Sequence, residues 1–202
     1  MTAFDHLVYA APDLQAALED IARRTGVHPT AGGPHPGLGT RNYLLGLGGD
    51  RYLEIIGPDP AQPTPPEPRP FGIDDLSAPK LVAWAIATTD LDAAVTRSRA
   101  AGHDPGPPRA MTRLRPDGEL LRWRLTPPRA GVVPFLIDWG ATPHPARRLP
   151  VVQLVGFEVV HPAPDAVREC FTALGADAAF RQGARPALVA HLAGPAGEIV
   201  LD

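Results

Sequence analysis

The sequence predicts an α+β fold of repeated βαβββ modules, with a third, compact module. Three observations carry this. One phrase recurs as FDHLVYAAPDLQAAL from Phe4, LVAWAIATTDLDAAV from Leu81 and VGFEVVHPAPDAVRE from Val155. Each copy is a β-rich run, an Asp, and a helical pattern that soon meets glycine, and each is followed by three further strand-like runs. The prolines gather between the copies, in PDPAQPTPPEPRP at 58–70 and GATPHPARRLP at 140–150, where neither helix nor central strand propagates. The expected division is a domain over 1–146, with modules 1–57 and 80–140 around the linker 58–70, and a third βαβββ-like module over 150–202.

In the first module, residues 6–11 alternate as a half-buried strand. Asp13 is a side-chain cap for the free amides of a helical first turn. Leu14, Ala17, Leu18 and Ile21 then fall on one helical face, and Gly26 ends the helix. Strands are predicted at 27–30, 42–47 and 52–56, with Gly48-Gly49-Asp50 as a turn. The second module repeats the order: strand 81–88, cap Asp90, a helix before Gly102, and strands 110–114, 120–125 and 132–137 with an Asp117-Gly118 turn. The third has strand 155–160, helix 165–174, and strands 178–181, 187–192 and 198–201. Its helix carries Cys170, expected as a packed thiol between Val167, Phe171 and Leu174.

Composition excludes several function classes. With 19 basic against 22 acidic residues, and no basic cluster, the chain is not expected to bind nucleic acid. Its apolar runs are strand-sized, so no membrane span is expected. The start MTAFDHLVYA has no signal-peptide pattern, and a single cysteine excludes an internal disulfide; both fit a cytoplasmic location.

The repeat, the opening DHLVYAAPDL, the segment GGPHPGLGTRN and the run RYLEIIGP together resemble the glyoxalase-like branch of the vicinal oxygen chelate superfamily. The resemblance is strongest in module one. In module two it rests on LVAWAIATTDLDAA and FLIDWG, and in module three on the pattern alone. It implies paired modules whose curved mixed sheets surround a small-molecule cleft, with metal ligands from the first and last strand of each.

Alternation tests the carry-over. If Leu7 and Tyr9 face the helix, His6 faces the cleft, and Glu54 does so beside Tyr52 and Ile56. His6 and Glu54 are therefore the expected metal ligands, for Zn²⁺, Fe²⁺, Mn²⁺ or Ni²⁺. Module two offers Ala83 and Phe135 in the corresponding places, and neither can ligate. This argues against a four-ligand lyase and against a ring-cleaving dioxygenase. In module three, Glu158 and Glu198 occupy those places, either joining the site or standing as solvated charges.

The Gly/Pro-rich loop holding His35 is expected to meet a ligand, with His35 as a catalytic acid/base or third metal ligand and Arg41 and Asn42 as ligand-binding groups. His28, His103 and His144 are read as surface residues. Trp84 is expected in the core, Trp123 and Trp139 along a pocket or simply packed, and Arg122 and Arg124 on the surface. The function expected is a metal-dependent lyase, isomerase or oxygenase acting on a carbonyl or vicinal-oxygen compound. The alternative is a metal-free module that binds or sequesters a small molecule. A cleft with half its ligands also predicts a homodimer.

Overall fold

The computed structural model describes residues 2–114 and 118–202. Module one comprises β1 (Ala3–Ala10), α1 (Leu14–Thr25), β2 (Thr30–His35), β3 (Thr40–Gly46) and β4 (Tyr52–Pro58). Module two comprises β5 (Lys80–Ala87), α2 (Leu91–Ala100), β6 (Arg109–Leu114), β7 (Leu120–Leu125) and β8 (Phe135–Asp138). Then follow β9 (Gln153–His161), α3 (Pro164–Leu174), β10 (Ala179–Gln182), β11 (Ala187–Gly194) and β12 (Gly197–Leu201). The fold class is mixed α+β, as expected. The Asp117-Gly118 turn lies partly outside the described residues.

The two caps form for the reason anticipated. Asp13 accepts from the Ala16 amide and Asp90 from the Ala93 amide, both at 3.0 Å. The third helix differs: Ala163 precedes it, Pro164 opens it, and Asp165 stands inside the first turn without capping it.

Modules one and two form a single eight-stranded sheet in the order β2-β3-β4-β1-β5-β8-β7-β6. β1 lies parallel to β4 and β5 parallel to β8, while β1 and β5 pair antiparallel at the centre. The sheet curls into a nearly closed barrel. Its outermost strands, β2 and β6, come into contact, yet no ladder joins them among the described residues.

The third module has the same element order but a different wiring. Its sheet runs β10-β9-β11-β12, so β9 is central and pairs parallel with the strand immediately after the helix. In the first two modules the parallel partner is the last strand. β12 is thus an edge strand paired with β11 alone, and Glu198 does not stand beside Glu158.

This smaller sheet packs over the helical face of the large one. The main core gathers Leu7, Leu53, Ile55, Trp84 and Leu136 from the large sheet, Ile21 and Leu91 from helices, and Val159, Phe171 and Leu192 from the third module. Trp84 stands at the junction, fully buried. Its ring lies 5.0 Å from Phe157, 5.6 Å from Phe171 and 5.7 Å from Phe4, and its Nε1 donates to the Val132 carbonyl at 2.7 Å.

The concave face carries a second apolar cluster: Val8, Ala10, Ile56, Ala83, Phe135 and Ile137. The proline-rich connector joins it through the 3-10 turn Pro70–Asp75, which buries Ile73 among these side chains. Replacing Trp84 by Ala removes the largest fully buried side chain and strands the Val132 carbonyl. We expect a loss of about 3–5 kcal/mol in urea unfolding, with the third module affected as strongly as the first.

Candidate functional site

Two polar clusters lie inside the curved sheet. The first is created by a β-bulge. Phe4 pairs with Ile86 and His6 with Ala85, so Asp5 is an extra residue on β1. Strict alternation would put Asp5 and His6 on opposite faces, whereas the bulge turns both inward. Asp5 is fully buried. Its Oδ1 faces His6 Nδ1 at 2.5 Å, and its Oδ2 accepts from Trp139 Nε1 at 2.9 Å and His144 Nε2 at 3.1 Å.

Burial alone would raise the Asp5 pKa, but the hydrogen bonds from His144 and His6 outweigh it and bring it down to about 2. An ionised carboxylate only accepts, so both imidazole nitrogens facing it carry protons. His144 then accepts the Ala146 amide on its Nδ1. His6, when neutral, keeps a lone pair on Nε2, and no described residue hydrogen-bonds that atom. Tyr52 stacks on the His6 ring at 4.5 Å and Phe135 stands edge-on to it at 5.4 Å. Burial, reinforced by Asp5 and Glu54, pushes the Tyr52 phenol well above its usual pKa, so it stays protonated.

The second cluster surrounds Glu54, two residues along β4 from Tyr52. Asn42 on β3 donates its Nδ2 to Glu54 Oε1. Arg113 on β6, reaching across the β2–β6 seam, donates its Nη1 to Asn42 Oδ1 at 3.0 Å. His35 completes the group, with Nε2 3.8 Å from Glu54 Oε1 and Nδ1 3.0 Å from Thr40 Oγ1. Burial lowers the His35 pKa more than Glu54 raises it, so the ring is neutral at pH 7.

Glycine makes this arrangement possible. Between β2 and β3 the register slips at Gly32. A Cβ on Gly32 would fall 2.2 Å from Asn42 Oδ1, and Gly33 adopts φ 136°, a backbone conformation that other residues rarely take. Beside Arg113 lies a cavity of about 20 Å³, lined in part by Gly32, Leu44, Leu121 and Pro145. It is about large enough for one water.

Several sequence expectations are redistributed. His35 is not on a loop; it ends strand β2, where Pro34 is tolerated because the strand is an edge. Of the neighbours Arg41 and Asn42, only Asn42 turns inward. Arg41 lies on the helix-facing side over the Tyr43 ring, 3.9 Å from Asp59. His144 is no surface residue, since its side chain is 10 % exposed against Asp5. Glu158 pairs with Arg181 at 2.7 Å on the far sheet, and Glu198 is exposed, so neither reaches the interior. Cys170 is half-buried. Arg124 is indeed a surface group and forms a two-pronged pair with Asp92. Trp123 and Trp139 approach to 5.5 Å and line a groove of about 560 Å³ beside the β6–β7 hairpin. Alternation could find His6, Glu54 and Asn42. It could not find Asp5, which needs the bulge, or Arg113, which needs barrel closure.

The donor set is a poor fit to a resident divalent ion. His6 and Glu54 each belong to a separate hydrogen-bonded cluster, and Phe135 and Ala83 fill the module-two positions. Among the described residues, no three of His, Cys, Asp or Glu converge as a metal site, and catalytic sites ordinarily supply three.

A family model described as a glyoxalase-like domain matches residues 4–175. Among solved structures, the chain is similar to a hypothetical protein from Staphylococcus aureus, with a TM-score of 0.63 and 14 % identity over 99 % of this chain and 84 % of that one. It is also similar to a mutant of 4-hydroxymandelate synthase from Streptomyces coelicolor, with a TM-score of 0.56 and 14 % identity over all of this chain and 63 % of that one. Methylmalonyl-CoA epimerase from Mycobacterium tuberculosis aligns at a TM-score of 0.43, with 19 % identity over 69 % and 88 % of the two chains. At these identities the likeness is one of fold. No curated protein matches the chain by sequence.

Two outcomes follow from the clusters. The drop of the Asp5 pKa from 3.8 to about 2 corresponds to about 2 kcal/mol of stability. That contribution is whole above 3.8 and fades as pH falls towards 2. Urea unfolding at pH 5 and pH 2.5 should therefore show a larger acid loss in the wild type than in Asp5→Asn. Equal acid losses would mean that Asp5 is not held as described. Separately, Gly32→Ala must displace the Asn42 amide, and we expect it to cost about 1–3 kcal/mol in the same assay.

Proposed function

Because the chain belongs to the glyoxalase-like domain family, we propose that it takes a small carbonyl compound into its curved sheet and acts on it by acid–base chemistry. The enzyme class is isomerase or lyase. The observation that carries this reading is the Glu54–Asn42–His35 arrangement: a carboxylate held on one oxygen by an amide, with a neutral imidazole 3.8 Å away.

In this reading Glu54 removes a proton from the carbon next to the substrate carbonyl. The electrons of the broken C–H bond move into an enolate, and the proton resides on the carboxyl. The Asn42 bond fixes one Glu54 oxygen and leaves the other to react, so the base needs no reorientation. His35, neutral and partly buried, gives its proton to the enolate oxygen or to carbon and takes up the one held on Glu54, which restores both groups and closes the cycle without external reagents. Apolar walls from Val8, Ile56 and Phe135 keep water from competing. Every residue of the cluster comes from one sheet, so a single copy of the chain is sufficient.

A second reading keeps a divalent ion on His6 and Glu54. One observation favours it: Asp5 holds His6 Nδ1, the relation that commonly orients a metal-bound histidine. Stoichiometric metal in the purified protein, lost in His6→Ala, would select it over the acid–base reading.

The direct test follows deuterium uptake from solvent at the carbon next to the carbonyl, by NMR, across a panel of small 2-oxo and 2-hydroxy carbonyl compounds. We expect exchange with at least one compound, reduced by about 10²-fold or more in Glu54→Gln. Tight binding without exchange would instead support a sequestering role.

A further inference from the structure

Arg113 is the most conspicuous unexplained group in the interior. Its residue is 8 % exposed, and among the described residues no carboxylate lies within ion-pair distance of it. Its Nε is buried and has no hydrogen-bond partner. A guanidinium is seldom buried unpaired, because desolvating the charge costs more than packing the stem returns.

The way it is held shows which part is spare. Nη1 is committed to Asn42 Oδ1. The opposite edge of the guanidinium, formed by Nε and Nη2, presents two parallel N–H groups, and neither meets an acceptor among the described residues. That edge is the fork which matches the two oxygens of a carboxylate. Arg113 also lines the water-sized cavity, together with Arg148. Among the described residues, the β2–β6 seam next to this cavity has no ladder bonds to break before it widens.

We propose that Arg113 is the anchor for a small carboxylate, and that the ligand of the interior site is a carboxylate-bearing carbonyl compound of a few carbons. The proposal rests on the acid–base reading for its placement, and narrows it to one substrate class. Asn42 separates the two charges: its amide donates to Glu54 while its oxygen accepts from Arg113. A ligand carboxylate on the free guanidinium edge is therefore kept off the Glu54 carboxylate. Gly32 leaves room for this arrangement, since a side chain there would press on the Asn42 amide.

The test measures binding, so that it stands apart from turnover. Full-length protein is titrated with pyruvate, with the neutral isostere pyruvamide and with inorganic phosphate, and read by thermal shift and calorimetry. Pyruvate should bind and stabilise, pyruvamide should bind about tenfold or more weakly, and phosphate should not compete. Arg113→Gln should abolish the preference for pyruvate, and Arg113→Lys should keep part of it, which covers the case where the Gln variant fails to fold. Equal binding of pyruvate and pyruvamide to the wild type, binding unchanged in Arg113→Lys and Arg113→Gln, or preference for phosphate would each overturn the proposal. Glu54→Gln separates the two ideas. If it still binds pyruvate through Arg113 but the wild type catalyses no exchange, the anchor stands and the acid–base reading falls.

Discussion

The antiparallel pairing of β1 with β5 is the constraint on which the molecule depends. It joins two four-stranded modules into one curved sheet, and it is where the register slips. Because Phe4 and His6 face consecutive residues of β5, Asp5 turns inward, and a carboxylate is buried where the two modules meet. That carboxylate binds His6 in module one and, through Trp139 and His144, the segment that leaves module two. A single irregularity of backbone thus fastens both halves and the exit of the second. The cost of burying the charge is offset by three donors, an arrangement that becomes strongly unfavourable if one of them is lost.

The interior is asymmetric in its chemistry although its scaffold is nearly symmetric. Module one supplies His6, Asn42, Glu54 and His35, whereas module two supplies Ala83 and Phe135 at the matching places and contributes Arg113 from its edge strand. The pseudo-symmetric half has been given over to apolar walls and one cation. This is consistent with a site that binds an asymmetric ligand, one end apolar or carbonyl and the other anionic. It is less consistent with a centre that needs donors from both halves.

Much of this was legible in the sequence because local chemistry and periodicity are local facts. Asp13 and Asp90 cap their helices through their own neighbours, and the facing of His6 and Glu54 follows from alternation along one strand. What was hidden depended on events between strands. Asp5 looks outward-facing until the bulge is known. His144, set between prolines, reads as a turn residue until a segment far away in sequence provides its carboxylate. Arg113 has meaning only once β6 reaches β2. The segment around His35 reads as a loop because of its glycines and prolines, yet an edge strand tolerates both. The third module differs in another way: its βαβββ order is real, but order along the chain does not specify order across a sheet, and Asp165 stands inside its helix without capping it.

The meeting of β2 and β6 has a consequence for colloidal behaviour. An open eight-stranded sheet would present two long unpaired margins, and such margins recruit strands from other chains. Here the two margins meet where β2 touches β6, so the curl that builds an interior also covers part of the surface most prone to self-association. Pro34 in β2 removes one donor from that margin, a local safeguard against templating. A change that straightened the sheet would therefore endanger solubility as well as the pocket, and the glycines of β2 serve both.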